Sequence, residues 1–190
     1  MTKVISKIVT RWSNSGMIDK SNEDIYVYGL DLLIFTILNI SVIIVVSFIF
    51  NRFPETFILL LIIIPLQAYG GGYHAKTHLR CFLIMFIGWN MLLMILPFIT
   101  PILSIIINIL SLIIIWFLAP VPHVNVKMSP DHKMKLRNIV RMIAFIISLT
   151  SLLFMFIIPE LTRHSIIIST GLCVVALSMI FALIFNKFRY

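Results

Sequence analysis

The sequence predicts an all-α membrane protein, with about six transmembrane helices behind an N-terminal amphipathic helix at the interface. Three observations carry this. Of 190 residues, 61% are hydrophobic and 12% charged, with a mean hydropathy of +1.10. A soluble domain is nearer half apolar and a quarter charged. Residues 43–50, 57–66 and 102–118 are runs without a single charge. The basic residues fall unevenly among the segments that link such runs, which is the signature of membrane sidedness. The length fits one compact polytopic domain over residues 1–190.

In residues 1–24, Val4, Ile5, Ile8, Val9 and Trp12 recur at helical spacing, with Lys3, Lys7, Thr10 and Arg11 between them. That pattern predicts a short helix lying on the membrane surface. No apolar core precedes a small-residue cleavage site, so a secretory signal is not expected. Six apolar stretches follow, at about 26–50, 56–69, 82–99, 102–118, 139–158 and 165–185. A perpendicular span needs roughly 20 residues, so the second stretch, 56–69, is short. Pro97 and Pro101 predict a hairpin turn between the third and the fourth.

Charge placement orients this layout. With the N-terminus inside, the cytoplasmic segments carry Lys3, Lys7, Arg11, Lys20, Lys76, Arg80, Lys127, Lys133, Lys135, Arg137, Arg141, Lys187 and Arg189, 13 of the 15 Lys and Arg residues. Only Arg52 and Arg163 fall outside, each near an acid, Glu55 and Glu160. Six spans with both termini cytoplasmic follow. The net charge of +8 then reports sidedness and contact with anionic lipid, not nucleic acid. An acidic peptide partner is the other reading. The two cysteines, Cys81 and Cys173, make no disulfide framework and read as free thiols.

One polar break interrupts the hydrocarbon: YGGGYHAKTHLRC, residues 69–81. Irregular backbone near membrane depth must be buried in protein or line a wet cavity, and Gly70, Gly71 and Gly72 permit such a path. His74 and Cys81 are seven residues apart. On one straight helix their Cα atoms would be roughly 10.5 Å apart, too far for a hydrogen bond. If the two act together, one helix must end near Gly70, residues 71–76 must turn, and the next helix must start at Thr77 as N-cap. Cys81 would then lie near a positive helix end beside Arg80, the surroundings that reactive thiols share, with His74 on the turn as its base. Three rivals stand beside this reading. His78 is three residues before Cys81, on one helical face, and by spacing is the better-placed base. His74, His78 and Cys81 together are also a metal-ligand set by residue type, but the zinc-peptidase motif needs a Glu after its first histidine, where Ala75 stands. The histidines would otherwise only cap helix ends or meet lipid phosphates.

Residues 71–77, Gly-Gly-Tyr-His-Ala-Lys-Thr, with a cysteine seven residues after the histidine, resemble the accessory gene regulator B family (AgrB). These are membrane-embedded cysteine endopeptidases of Gram-positive bacteria that process the precursor of a cyclic autoinducing peptide in quorum sensing. Chain length, the amphipathic N-terminus, the multi-span layout and Ala119-Pro120-Val121 followed by Asn125 are similar too. The resemblance implies His74 as catalytic histidine and Cys81 as nucleophile, and gives His78 no role. It implies cleavage of a propeptide through an acyl-enzyme thioester, and closure of a thiolactone or lactone ring. Where the family has an arginine before the glycines, Gln67 stands here; it can donate to an oxyanion or orient the histidine but supplies no charge. Backbone N–H groups at the start of the Thr77 helix are the other oxyanion donors. The loop also departs from the family pattern after Asn125. The family's precursors have an amphipathic leader and an acidic tail, for which Lys76, Arg80, Lys127, Lys133, Lys135 and Arg137 offer a basic face. The implied partners are this precursor, membrane lipid and a second copy in a homodimer, without nucleic acid, cofactor or metal.

The rival function is a small multi-span transporter or permease subunit exporting a peptide. Six spans and buried polar residues favour it. The lack of matching broken-helix pairs opposes it. A scaffold or lipid-binding protein would need no cysteine. Of the remaining polar residues, Asp31 in the first span reads equally as functional or interfacial. Asn39, Asn90 and Asn108 are expected to join helices, Cys173 to pack, and His123 and His132 to be solvated in a basic loop.

Overall fold

The computed structural model describes residues 2–73, 75, 77–121 and 129–187, without the side chains of residues 2, 3, 186 and 187. His74, Lys76, His123, Asn125, Lys127 and Arg189, all singled out above, lie outside the described residues. Over the described residues the chain is all-α, with six helices long and apolar enough to cross a membrane. It falls into two compact units, Met1–Val46 and Ser47–Tyr190.

In the first unit, helix α1 is Thr2–Asn14. Its apolar positions are spaced for one face, and Ile5 and Val9, one turn apart, are fully buried while Lys7 and Arg11 are exposed. This is the amphipathic helix that the sequence predicts. A 3-10 turn at Lys20–Asn22 leads into α2, Glu23–Ile49. Glu23 and Asp24 occupy the first turn of α2, where carboxylates suit the positive helix end. Its hydroxyls are satisfied within the helix: Thr36 donates to the Leu32 carbonyl at 2.8 Å and Ser41 to the Ile37 carbonyl at 2.8 Å. Such back-bonding lets polar side chains sit in an apolar span at little cost.

The second unit holds α3, Phe53–Gly70; α4, His78–Ile95; α5, Pro101–Leu118; α6, Pro130–Ile157; and α7, Thr162–Lys187. The 18 residues of α3 rise about 27 Å, just under a ~30 Å hydrocarbon core. The hairpin expected at Pro97 and Pro101 is a 3-10 turn, Leu96–Phe98, followed by α5 with Thr100 as N-cap, its hydroxyl accepting from Leu103 N at 3.3 Å. The centre of the unit is α7, which packs against α3, α5 and α6. It buries Ile167, Leu172, Val175, Ala176, Met179 and Ala182. The small side chains at 176 and 182 let neighbouring backbones approach, as membrane helix packing requires.

A polar seam ties α5, α6 and α7. Asn108 donates to Ser169 Oγ at 3.2 Å and accepts from Ser148. Ser151 bonds Ser165 and Ser169 at 3.0 and 2.9 Å. All five residues are buried, where each partner spares the other an unsatisfied group in hydrocarbon. Trp89 Nε1 donates to Thr56 Oγ1 at 3.3 Å and links α4 to α3.

Two expectations need correction. Among the described residues the Asn90 amide bonds within its own helix instead of joining a second one: its Nδ2 donates to the Phe86 carbonyl at 2.8 Å. His132 lies not in a loop but in the first turn of α6. That helix starts nine residues before the expected span because Ser129 caps it, accepting from His132 N at 3.3 Å, with Pro130 at its first position and Asp131 in its first turn. Hydropathy marks the membrane stretch, whereas capping marks the helix start, and here the two are two turns apart.

Candidate active site

The glycine break is built from three directions. Helix α3 ends at Gly70, with Gly71 N still donating to the Gln67 carbonyl at 3.0 Å. Gly71 has φ +73°, and a Cβ there would lie 2.2 Å from the Val121 carbonyl oxygen. No other residue fits, both for its left-handed backbone and for want of space. The neighbour is the Ala119-Pro120-Val121 segment, which follows α5 through a cis Ala119–Pro120 peptide. Val121 N donates to the Gly70 carbonyl at 2.9 Å, and Ala119 and Val121 are buried. Thus the two sequence segments that carry the family resemblance lie against each other.

The third direction is α7. Ser178 Oγ accepts from Tyr73 N at 3.0 Å and, at a long 3.5 Å, from Gln67 Nε2. A Cβ on Gly72 would lie 2.6 Å from the same Oγ. The Tyr73 ring packs on Phe185 with centroids 5.4 Å apart. So the backbone immediately before His74 is fixed to α7 by a hydrogen bond and an aromatic contact. Gln67 is turned towards Ser178 and Gly72, one turn before the break.

After the break, Thr77 takes extended backbone (φ −129°, ψ 147°) and caps α4, its hydroxyl accepting from Arg80 N at 3.3 Å. Cys81 N donates to the Thr77 carbonyl at 3.0 Å. Cys81 is a free, half-buried thiol at the fourth position of α4, while His78 and Arg80 on the same turn are exposed. The positive end of α4 therefore lies beside this sulfur. Helix α3 ends at Gly70 and α4 begins at His78, so Gly70 and Cys81 do not share one continuous helix.

The basic residues divide. Lys133 and Lys135 are exposed on the first turns of α6, and Arg137 is half-buried there. Arg141, one turn further on, stacks over the Trp116 ring at 4.8 Å and donates from Nε to the Trp116 carbonyl at 3.0 Å. It thereby anchors α6 to the end of α5, just before the Ala-Pro-Val segment. Sequence reasoning missed Ser178. A lone serine 105 residues from its partner, in an apolar helix, carries no local signal.

Neither the curated proteins nor the solved structures contain a match to this chain. The model of the accessory gene regulator B family does match, over residues 1–186, and the chain belongs to that family, whose members take part in quorum-sensing peptide processing as protease-like enzymes.

Proposed function

We propose that the chain is a membrane-embedded cysteine endopeptidase, with Cys81 as nucleophile and His74 as its base, acting on the precursor of a cyclic quorum-sensing peptide. The observation that carries this reading is the break itself. A helix stops at Gly70, a turn is fixed to α7 and to Val121, and a new helix presents Cys81 in its first turns beside Thr77 and Arg80. A straight helix through the same residues would keep positions 74 and 81 about two turns apart.

The Cys81 thiolate attacks the carbonyl carbon of the scissile peptide, and the thiol proton passes to His74. The tetrahedral oxyanion collapses as His74 returns the proton to the leaving amine, giving an acyl-enzyme thioester. The N–H groups at the start of α4 and the Gln67 amide are the donors available to the oxyanion. A thiol or hydroxyl of the bound peptide then attacks the thioester, closes a thiolactone or lactone ring and releases Cys81 as thiol. Exchange of one thioester for another is near balance, so a site that excludes water is needed to keep hydrolysis from winning. The charges that would attract an acidic precursor tail are Lys76, Arg80, Lys127, Lys133, Lys135 and Arg137. The positive-inside asymmetry of the sequence supports a cytoplasmic side for these basic residues, the active site and both termini. The functional unit is a homodimer.

The test is co-expression with a candidate precursor and mass spectrometry of the cut peptide, for wild type and for Cys81→Ala, His74→Ala and His78→Ala. Loss of cleavage in the first two variants and retention in the third is the expected result. Dependence on His78 instead of His74 would move the base onto the α4 face. Cleavage that survives Cys81→Ala would overturn the peptidase reading and favour peptide export.

A further inference from the structure

A second polar cluster lies at the other end of α3, about 27 Å from the glycine break along the helix. Glu55, in the first turn of α3, is buried with 7% of its surface exposed. One of its oxygens, Oε1, accepts from two arginines: Arg52 Nη1 at 3.3 Å and Arg163 Nη2 in closer contact. Arg52 precedes α3 and Arg163 sits in the first turn of α7, so both stand at positive helix ends. The trio borders a cavity of 450 Å³ whose remaining wall is aliphatic, including Leu96, Pro97 and Ile167.

The chemistry is unbalanced. Among the residues that line the cavity, two guanidiniums against one carboxylate leave a net charge of +1; Glu160, three residues before Arg163, is exposed and outside that lining. Each guanidinium has five N–H donors, and Glu55 Oε1 takes one from each. The Arg163 side chain is 67% exposed and the Arg52 side chain 38%, so their outer faces are open to a ligand. We propose that this cavity binds one anionic phospholipid, with its phosphate between Arg52 and Arg163 and the start of its acyl chains against the aliphatic wall. A phosphodiester carries one negative charge, which matches the residual +1, and planar guanidiniums hold phosphate oxygens in pairs. The aliphatic wall favours a lipid over free phosphate, which would leave that surface wet. Glu55 has two functions here: it holds the two arginines at one point, and it limits the charge so that one phosphodiester completes it. The assignment does not rest on the peptidase reading.

The full chain, in mild detergent, would be titrated with phosphatidylglycerol and with phosphatidylcholine and read by native mass spectrometry. Wild type is expected to retain one phosphatidylglycerol more tightly than phosphatidylcholine. Arg52→Gln and Arg163→Gln should each weaken that retention about fivefold, the usual effect of one basic residue near an anionic headgroup. Glu55→Gln raises the local charge from +1 to +2 and should strengthen retention about fivefold. That opposite sign cannot come from a misfolded variant. Retention unchanged in both arginine variants, equal retention of phosphatidylcholine, or a weaker lipid complex in Glu55→Gln would overturn the proposal. So would displacement by millimolar inorganic phosphate, which would make the site one for the free ion, or by a short peptide with a free C-terminal carboxylate, which would make it a peptide site.

Discussion

Replacing Gly71 by alanine tests whether the glycine turn sets the geometry of the site. The new Cβ would lie 2.2 Å from the Val121 carbonyl oxygen, whereas ordinary contact begins near 3.4 Å. Gly71 and Val121 must therefore separate by at least 3.0 − 2.2 = 0.8 Å, the tightest contact that occurs, and by 3.4 − 2.2 = 1.2 Å to reach ordinary contact. The obstacle is backbone, so no side-chain rotation relieves it. Alanine in the left-handed region adds about 1–2 kcal/mol. Losing the 2.9 Å bond from Val121 N to the Gly70 carbonyl adds about 1 kcal/mol. The turn would therefore be strained by about 2–3 kcal/mol and displaced by about 1 Å, a misplacement that can cost an active site ~100-fold in rate. Precursor cleavage by the reconstituted variant should fall by about that factor, mostly in kcat. Gly88→Ala is the control. It lies within α4 with nothing within 4 Å of its added Cβ, and helix propensity favours alanine there by up to about 1 kcal/mol. Wild-type cleavage by Gly71→Ala, at equal membrane content, would refute the reasoning.

Ser178→Ala removes the acceptor for Tyr73 N–H and the Gln67 amide; at about 1 kcal/mol of lost hydrogen bonding cleavage should drop roughly fivefold, with the loss in kcat, and an unchanged kcat would separate α7 from the chemistry. Thr77→Ala deletes the α4 cap and should lower thermal stability by about 1 kcal/mol, whereas Thr77→Asp, which can still cap, should recover it; equal melting of the two variants would contradict the cap's contribution. Asn108→Ala strips both Ser148 and Ser169 of a partner and should cost about 1–2 kcal/mol in a detergent unfolding series, while Asn90→Ala, which breaks only a bond within its own helix, should cost less.

Composition and runs of hydrocarbon were enough to establish the membrane class and six spans, because lipid leaves the backbone few alternatives to the helix. The break at Gly70 and the cap at Thr77 were legible for a similar reason: three glycines and a threonine before a helical run act locally. Local signals also existed for the early start of α6, in Ser129, Pro130 and Asp131, but hydropathy alone does not contain them. By contrast, Asn90 and Asn108 are the same residue type in similar apolar stretches. One bonds its own helix and the other joins three, and only the rotation of each helix against its neighbours decides which. Ser178 and Val121 illustrate the same limit. Nothing near Ser178 in sequence marks it, and the Ala119-Pro120-Val121 pattern marks Val121 without telling what it touches; together they hold the backbone before His74, since α7 packs on α3 and the segment after α5 folds onto Gly70. The sequence by itself determined the spans and the break between Gly70 and Thr77, both properties of short stretches and their immediate solvent. Only the tertiary structure decided what braces that turn, and that two arginines 111 residues apart share one buried carboxylate, because contacts between distant segments arise from packing of whole helices, to which no local pattern points.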